Sequence, residues 1–258
     1  MGNEASSARG GTMKTRSSPF GGHAVRAAQR FFDGLGFHLV DYRPPCSEIK
    51  DAEFYRPMFS PWLTSEWSAR LRVDDPRSLL SLHARYMLYC LALDATRRCG
   101  GEVAECGVYK GGTAKILAEL LPGHPLHLFD TFSGMPDTDE VRDLHKAGDF
   151  SDTSLESVRA YLSNHANISF TQGLVPQSLE VVRDRKFSFV HIDLDIYAPI
   201  KAACAFFYPR LERGGTLLFD DYGYPSCPGA RAAVDEFFAD KPETIIAMVT
   251  GQCFVQKL

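Results

Sequence analysis

The stretch FSFVHIDLDIY, residues 187–197, runs apolar until it ends in Asp193 and Asp195. It reads as a strand buried in the core, and a charge there is costly unless it is paired or bound to a metal. Residues i and i+2 of a strand project to the same side. The stretch is therefore expected to be a core strand whose end presents two carboxylates to a site.

Outward from this strand, elements alternate. Upstream lie a strand at EVAECGV (102–108), a helix at GGTAKILAELL, a strand at PLHLFD ending on Asp130, a helix at 153–165 with a capping box of Thr153 and Glu156, a strand at NISFTQG and a short helix at VPQSLEVVR. Downstream come the helix YAPIKAACAFFYPRL, the strand GGTLLFDD, the helix GARAAVDEFFA and two final strands about Gly251. Strands alternating with helices predict an α/β, doubly wound, mostly parallel sheet, and the last two strands, joined without a helix, should pair antiparallel at its edge. Before it, Asp75 and Pro76 read as the N-cap and first position of a long helix with Leu80, His83, Met87 and Leu91 as its buried stripe.

Ligands of such open sheets sit beyond the carboxyl ends of the strands. That rule gathers Glu105 and Gly107, Asp130, Gln172 and Gly173, Asp193 and Asp195, and Asp220 and Asp221 on one rim. The turn ECGVYKGG (105–112) joins a strand to a helix N-terminus, where free N–H groups can meet a carboxylate or phosphate, but it is not G-x-G-x-x-G. Asp130, 23 residues after Gly107, stands where an acid accepts hydrogen bonds from both hydroxyls of a ribose, although an N-cap role would also explain it. Asp193, Asp220 and Asp221 are hard oxygen donors suited to Mg²⁺, and the alternative is capping by Asp220 and Asp221 with Asp193 on an arginine. His191 reads as a packed residue.

Composition narrows the classes further. With 258 residues, 45% of them hydrophobic, the chain suffices for a large packed domain. Its net charge of −4, without a basic stripe interleaved with aromatics, argues against a nucleic-acid partner. Seven cysteines with no C-x-x-C pair read as reduced thiols of a cytoplasmic protein. No apolar run is long enough to span a bilayer, and no secretory signal is expected. MGNEASS fits the N-myristoylation pattern at Gly2, and Arg9, Lys14, Arg16, Arg26 and Arg30 would supply a basic second signal for a membrane surface. The blander and favoured reading is a tail that fits a short pattern by chance. Residues 1–23 are expected to be a disordered tail and 24–75, with Phe54, Tyr55, Phe59, Trp62 and Trp67, a helical or irregular extension capping the substrate side of a domain at 76–258.

The segments VAECGVYKGGTA, FDTFSGMPD, GDFSDTSLESVRAYL, QGLVPQSL, HIDLDIYAPIKAACAFFYPRLERGGTLLFDDYG and PGARAAVDEFF, in that order over residues 76–258, resemble the TylF/MycF family of macrocin-type O-methyltransferases. The resemblance implies a class I, Rossmann-like methyltransferase fold that uses S-adenosyl-L-methionine and Mg²⁺ to methylate a hydroxyl of a small molecule such as a sugar. Glu105, Gly107 and Asp130 match its cofactor positions, with Cys106, Thr113 and Gly173 beside them. Asp193, Asp220 and Asp221 match its metal ligands, Asp195 its candidate general base, and 131–152 its mobile lid. Two rivals stay open: a nucleotide-dependent oxidoreductase on a Rossmann sheet, and a non-catalytic, membrane-associated relative. A homo-oligomer is compatible with the sequence.

Overall fold

A computed structural model describes residues 64–72 and 74–258. All of them belong to the second of the chain's two units, 60–258. The expectations for the tail, for Gly2 and its basic neighbours, and for most of the extension lie outside the described residues.

The second unit is built on a seven-stranded sheet. A short helix α1 (Ser65–Arg70) and a long α2 (Leu82–Arg98) precede β1 (Glu102–Cys106), α3 (Gly112–Leu120), β2 (Leu126–Asp130), α4 (Leu155–Tyr161), β3 (Ile168–Gln172), a 3-10 turn, β4 (Phe187–Ile192), α5 (Tyr197–Phe207), β5 (Leu211–Phe219), α6 (Pro228–Phe238), β6 (Ile246–Ala247) and β7 (Cys253–Gln256). The strand order is β3-β2-β1-β4-β5-β7-β6. β1 to β5 pair in parallel, and β7 runs antiparallel to both β5 and β6. The expected architecture is thus observed, with β6 reduced to two residues.

β4 lies beside β1 at the centre, and all six of its residues are buried. Its neighbours explain its apolar run. Val190 and Ile192 pack into a cluster with Phe207, Phe219 and Val234, whereas Phe189 joins the opposite cluster with Leu88, Ala92 and Leu128. Two apolar layers, one on each face, leave the carboxyl ends of β1 and β4 as the crevice where the chain reverses its direction of sheet growth.

Two helix starts differ from expectation. α2 begins at Leu82, capped by the Ser81 hydroxyl, which accepts from Ala84 N at 3.2 Å. Asp75 is engaged elsewhere: it accepts from Arg77 N–H at 3.0 Å, from Arg72 Nε at 3.3 Å and from the Tyr161 hydroxyl. The buried face of α2 is Ala84, Arg85, Leu88, Tyr89, Ala92 and Ala95, one position off the expected stripe, and His83 is exposed. Its alanines let the helix lie close on the sheet, a preference that counting large apolar side chains misses. Arg85 donates to the carbonyls of Leu71, Arg72, Asp75, Ser78 and Leu80, which ties Leu71, Arg72 and Asp75 of the expected extension to α2. Trp67 also packs, edge-on to Tyr86 and Tyr89. α4 is capped by Ser154 rather than Thr153, whose hydroxyl instead donates to the carbonyl of Tyr109.

Candidate active site

The turn after β1 touches the end of β4. Gly107 has φ +87°, and a Cβ there would lie 1.6 Å from the carbonyl oxygen of Asp193, so only glycine allows this approach. The contact is pinned by hydrogen bonds from Gly107 N to Phe129 O at 2.9 Å and from Asp193 N to Cys106 O at 2.8 Å. Asp130 Oδ2 accepts from Val108 N–H at 2.6 Å and Tyr109 N–H at 2.9 Å, and Oδ1 from Phe132 N–H at 2.6 Å. Two of the turn's N–H donors, those of Val108 and Tyr109, are therefore committed to Asp130, which both shapes the turn and caps the segment after β2. The Thr131 hydroxyl lies 3.4 Å from Oδ1 but gives its one proton to the Gly134 carbonyl at 2.6 Å, so Oδ1 retains lone-pair capacity for a hydroxyl.

β4 ends at Ile192, so Asp193 and Asp195 lie beyond the strand and do not converge by strand alternation. A tight turn brings them together. Ile196 N donates to Leu194 O at 2.6 Å with Asp195 at the centre, at φ +59°, which is a γ-turn of the strained hand. Asp221 holds that conformation by accepting from Asp195 N–H at 2.9 Å. Oxygens of Asp193, Asp195 and Asp221 all lie within 4.8 Å of one another. Burial, then the charges of Asp220, Asp221 and Asp195, push Asp193 well above the usual carboxylate range. Burial, then Asp195 and Asp220, do the same to Asp221. Burial also raises Asp195, against the opposing pull of His145 and of the Cys227 hydrogen bond. Among the described residues no lysine or arginine pairs with these three. The chemistry of this all-oxygen donor set fits a hard divalent cation.

Asp220 faces a different environment. Its Oδ1 accepts from Gln252 Nε2 at 2.7 Å, and His191 Nε2 lies 3.8 Å away, too far for a hydrogen bond. His191 is fully buried and shares Nδ1 with Glu105 Oε1 at 3.1 Å. Burial alone would lower the His191 pKa, but the Asp220 and Glu105 carboxylates on either side outweigh it and push it up to about 9. Burial raises Glu105, with the His191 hydrogen bond opposing. The oxygens that lie within 4.8 Å of one another are thus those of Asp193, Asp195 and Asp221, a set that includes Asp195 and not the expected Asp220.

A cavity of about 630 Å³ opens over this rim, within the range of small-molecule sites. Gly107, Thr113, Asp130, Gly173, Asp193, Asp195, Asp220 and Asp221 line it, together with Met135 and Phe150 of the expected lid. Glu105 and Cys106 do not: Glu105 pairs with His191 beneath the rim, and Cys106 is buried in the core cluster that also holds Ala104 and Phe129. His145, Tyr224 and Cys227 are among the lining residues to which the sequence alone assigned no individual role. They sit in irregular segments without periodicity, and only their residue types would have marked them.

Comparison with known proteins bears on the family and the fold. The Macrocin-O-methyltransferase (TylF) family profile matches residues 86–251. The chain belongs to this family. A demethyldecarbamoylnovobiocin O-methyltransferase of Streptomyces niveus is 26% identical over 155 residues, 54% of this chain and 58% of the relative. The 8-demethyl-8-(2,3-dimethoxy-alpha-L-rhamnosyl)-tetracenomycin-C 4'-O-methyltransferase of Streptomyces olivaceus is 25% identical over 158 residues, covering 55% of this chain and 60% of the relative. The match thus spans only about 58–60% of these relatives' length. The solved O-methyltransferase NovP superposes with a TM-score of 0.64 at 22% identity, covering 71% of this chain and 83% of that one. The fold is therefore the Rossmann-like class I O-methyltransferase fold. No described helix is long and apolar enough to cross a membrane.

Proposed function

We propose that the chain transfers a methyl group from S-adenosyl-L-methionine to a hydroxyl of a small molecule, with Mg²⁺ held at the rim. The observation that carries this reading is the convergence of Asp193, Asp195 and Asp221 at the floor of a cavity that also contains Asp130 and the β1 turn. Bound S-adenosyl-L-methionine supplies an activated methyl on a sulfonium, so the protein is left to bind, align and deprotonate. Asp130 Oδ1 is placed to accept from a ribose hydroxyl, with Gly107, Thr113 and Gly173 forming the surrounding wall. Asp193 and Asp221, with Asp220 beside them, would hold the cation, which lowers the pKa of an acceptor hydroxyl.

Asp195 is the proton acceptor. Its strained turn aims the carboxylate at the cavity, and its backbone is fixed by Asp221. The lid segment helps exclude water: Asp143 reaches from it to accept from Tyr197 N–H at 2.9 Å, and the Tyr109 hydroxyl donates to Asp152 at 2.6 Å. An acceptor of the sugar or vicinal-diol class suits a rim with several carboxylates, and one relative's name specifies a 4'-O position on a rhamnosyl compound. Cytoplasmic location belongs to the same proposal.

The test combines binding and turnover. Calorimetry should show S-adenosyl-L-methionine binding and no NAD binding, and the reverse result would favour an oxidoreductase. With a panel of glycosides and diols, EDTA should abolish methyl transfer and Mg²⁺ restore it, while transfer indifferent to chelation would remove the metal from the reading.

A further inference from the structure

Asp195 stands between two donor sets of opposite character. On one side are the oxygens of Asp193 and Asp221. On the other, His145 and Cys227 bring a nitrogen and a sulfur to within 4.8 Å of the same carboxylate and of each other. Cys227 Sγ lies 3.4 Å from Asp195 Oδ1 and 3.6 Å from His145 Nε2, and His145 Nε2 lies 3.7 Å from Asp195 Oδ1. A tetrahedral zinc ion, with Zn–S of ~2.3 Å and Zn–N or Zn–O of ~2.0–2.1 Å, sets its donor atoms roughly 3.3–3.6 Å apart. The triangle already has nearly those edges.

A second feature points the same way. His145 Nδ1 lies 3.1 Å from Asp149 Oδ2, which the Lys146 N–H also engages at 3.0 Å. A carboxylate behind one ring nitrogen makes that nitrogen the N–H donor and leaves Nε2 with its lone pair facing Asp195 and Cys227, the arrangement that supports zinc-binding histidines. All three donors line the cavity, so a fourth position is open to water or a ligand.

We propose that His145, Asp195 and Cys227 form a binding site for a thiophilic divalent cation of the zinc class, and that its occupation inhibits the enzyme. The cation would engage the carboxylate that takes the acceptor's proton. It would also tie segment 131–152, through His145, to the start of α6, through Cys227, across the cavity. The inhibition rests on the proposed role of Asp195; the binding does not.

Cobalt(II) titration of the full chain tests the site without any need for turnover. One equivalent should give the near-ultraviolet thiolate-to-cobalt charge-transfer absorption, zinc should bleach it stoichiometrically, and millimolar Mg²⁺ should leave it in place. Cys227→Ser should lose the band, and His145→Gln should keep it but weaken cobalt affinity by at least about tenfold. No band, or a band that survives Cys227→Ser in folded protein, overturns the site. Should Cys227→Ser fail to fold, undiminished affinity in His145→Gln overturns it instead. In the Mg²⁺-supplied enzyme, micromolar zinc should slow methyl transfer, with Cys227→Ser, relative to its own zinc-free rate, requiring at least about tenfold more. Equal zinc sensitivity of the two overturns the inhibition while the cobalt result still decides binding.

Discussion

Two groups of carboxylates meet at the carboxyl ends of β1, β4 and β5, and the protein treats them differently. Beneath the rim, Glu105 and Asp220 flank buried His191, and Gln252 donates to Asp220 and, at 3.4 Å, to the Ala84 carbonyl of α2. There the fold supplies its own counter-groups. At the rim, burial first of all raises Asp193, Asp195 and Asp221, the charges of Asp220, Asp221 and Asp195 raise Asp193 further, and no lysine or arginine among the described residues pairs with the three. Charge compensated from within serves architecture, and charge left for something external marks the site.

The sharpest way to break that division is to exchange the consequences of substitution. Asp195→Asn should lower methyl transfer by about 10²–10⁴-fold, the range for loss of a positioned base, while the melting temperature of metal-free protein holds or rises because repulsion is relieved. Glu105→Leu should do the converse, costing roughly 3–5 kcal/mol in urea unfolding because it strips a partner from a buried charge. Should Glu105→Leu spare stability but abolish cofactor binding, Glu105 belongs to the site, as its sequence position implied. A smaller effect is expected for Gln252→Leu, which removes the donor to Asp220 and should cost about 1.5–3 kcal/mol, the range for a hydrogen bond to a charged group.

The division itself was only half legible. Alternating strands and helices announced the parallel sheet, and the helix-free link at Gly251 announced the antiparallel end, because both follow from local pattern. The rim acids were legible because a carboxylate ending an apolar run is conspicuous. Their partition was not. Whether Asp220 turns to Gln252, 32 positions away, or to Asp193 depends on tertiary contacts that no spacing encodes. The γ-turn at Asp195 is likewise invisible, since nothing in DLDI distinguishes it from continued strand. Asp75 shows the same limit from the other side: a good capping residue followed by proline was drawn instead to Arg72, Arg77 and Tyr161. His145 and Cys227 lie 82 residues apart in segments without period, so their meeting is a property of the fold alone.

The smallest predicted effect separates the groups by pH. His191 is raised in the folded protein from its ordinary 6.5 to about 9, so the protonated ring stabilises the fold. That stability is complete below pH 6.5 and is lost as pH rises through about 9. The rim carboxylates are also raised, and their contribution fades at the other end, as pH climbs from the ordinary carboxylate range, near 3.8, through their elevated values. In metal-free protein the melting temperature should therefore fall across pH 6.5–9, and His191→Gln should flatten that segment. If Asp195→Asn flattens it instead, the rim rather than the buried group titrates there. Saturating Mg²⁺ should reverse the slope below pH 6.5, because a cation that neutralises the rim holds those acids ionised and makes stability rise with pH in that lower range; an unchanged slope there would mean that the rim does not take the cation.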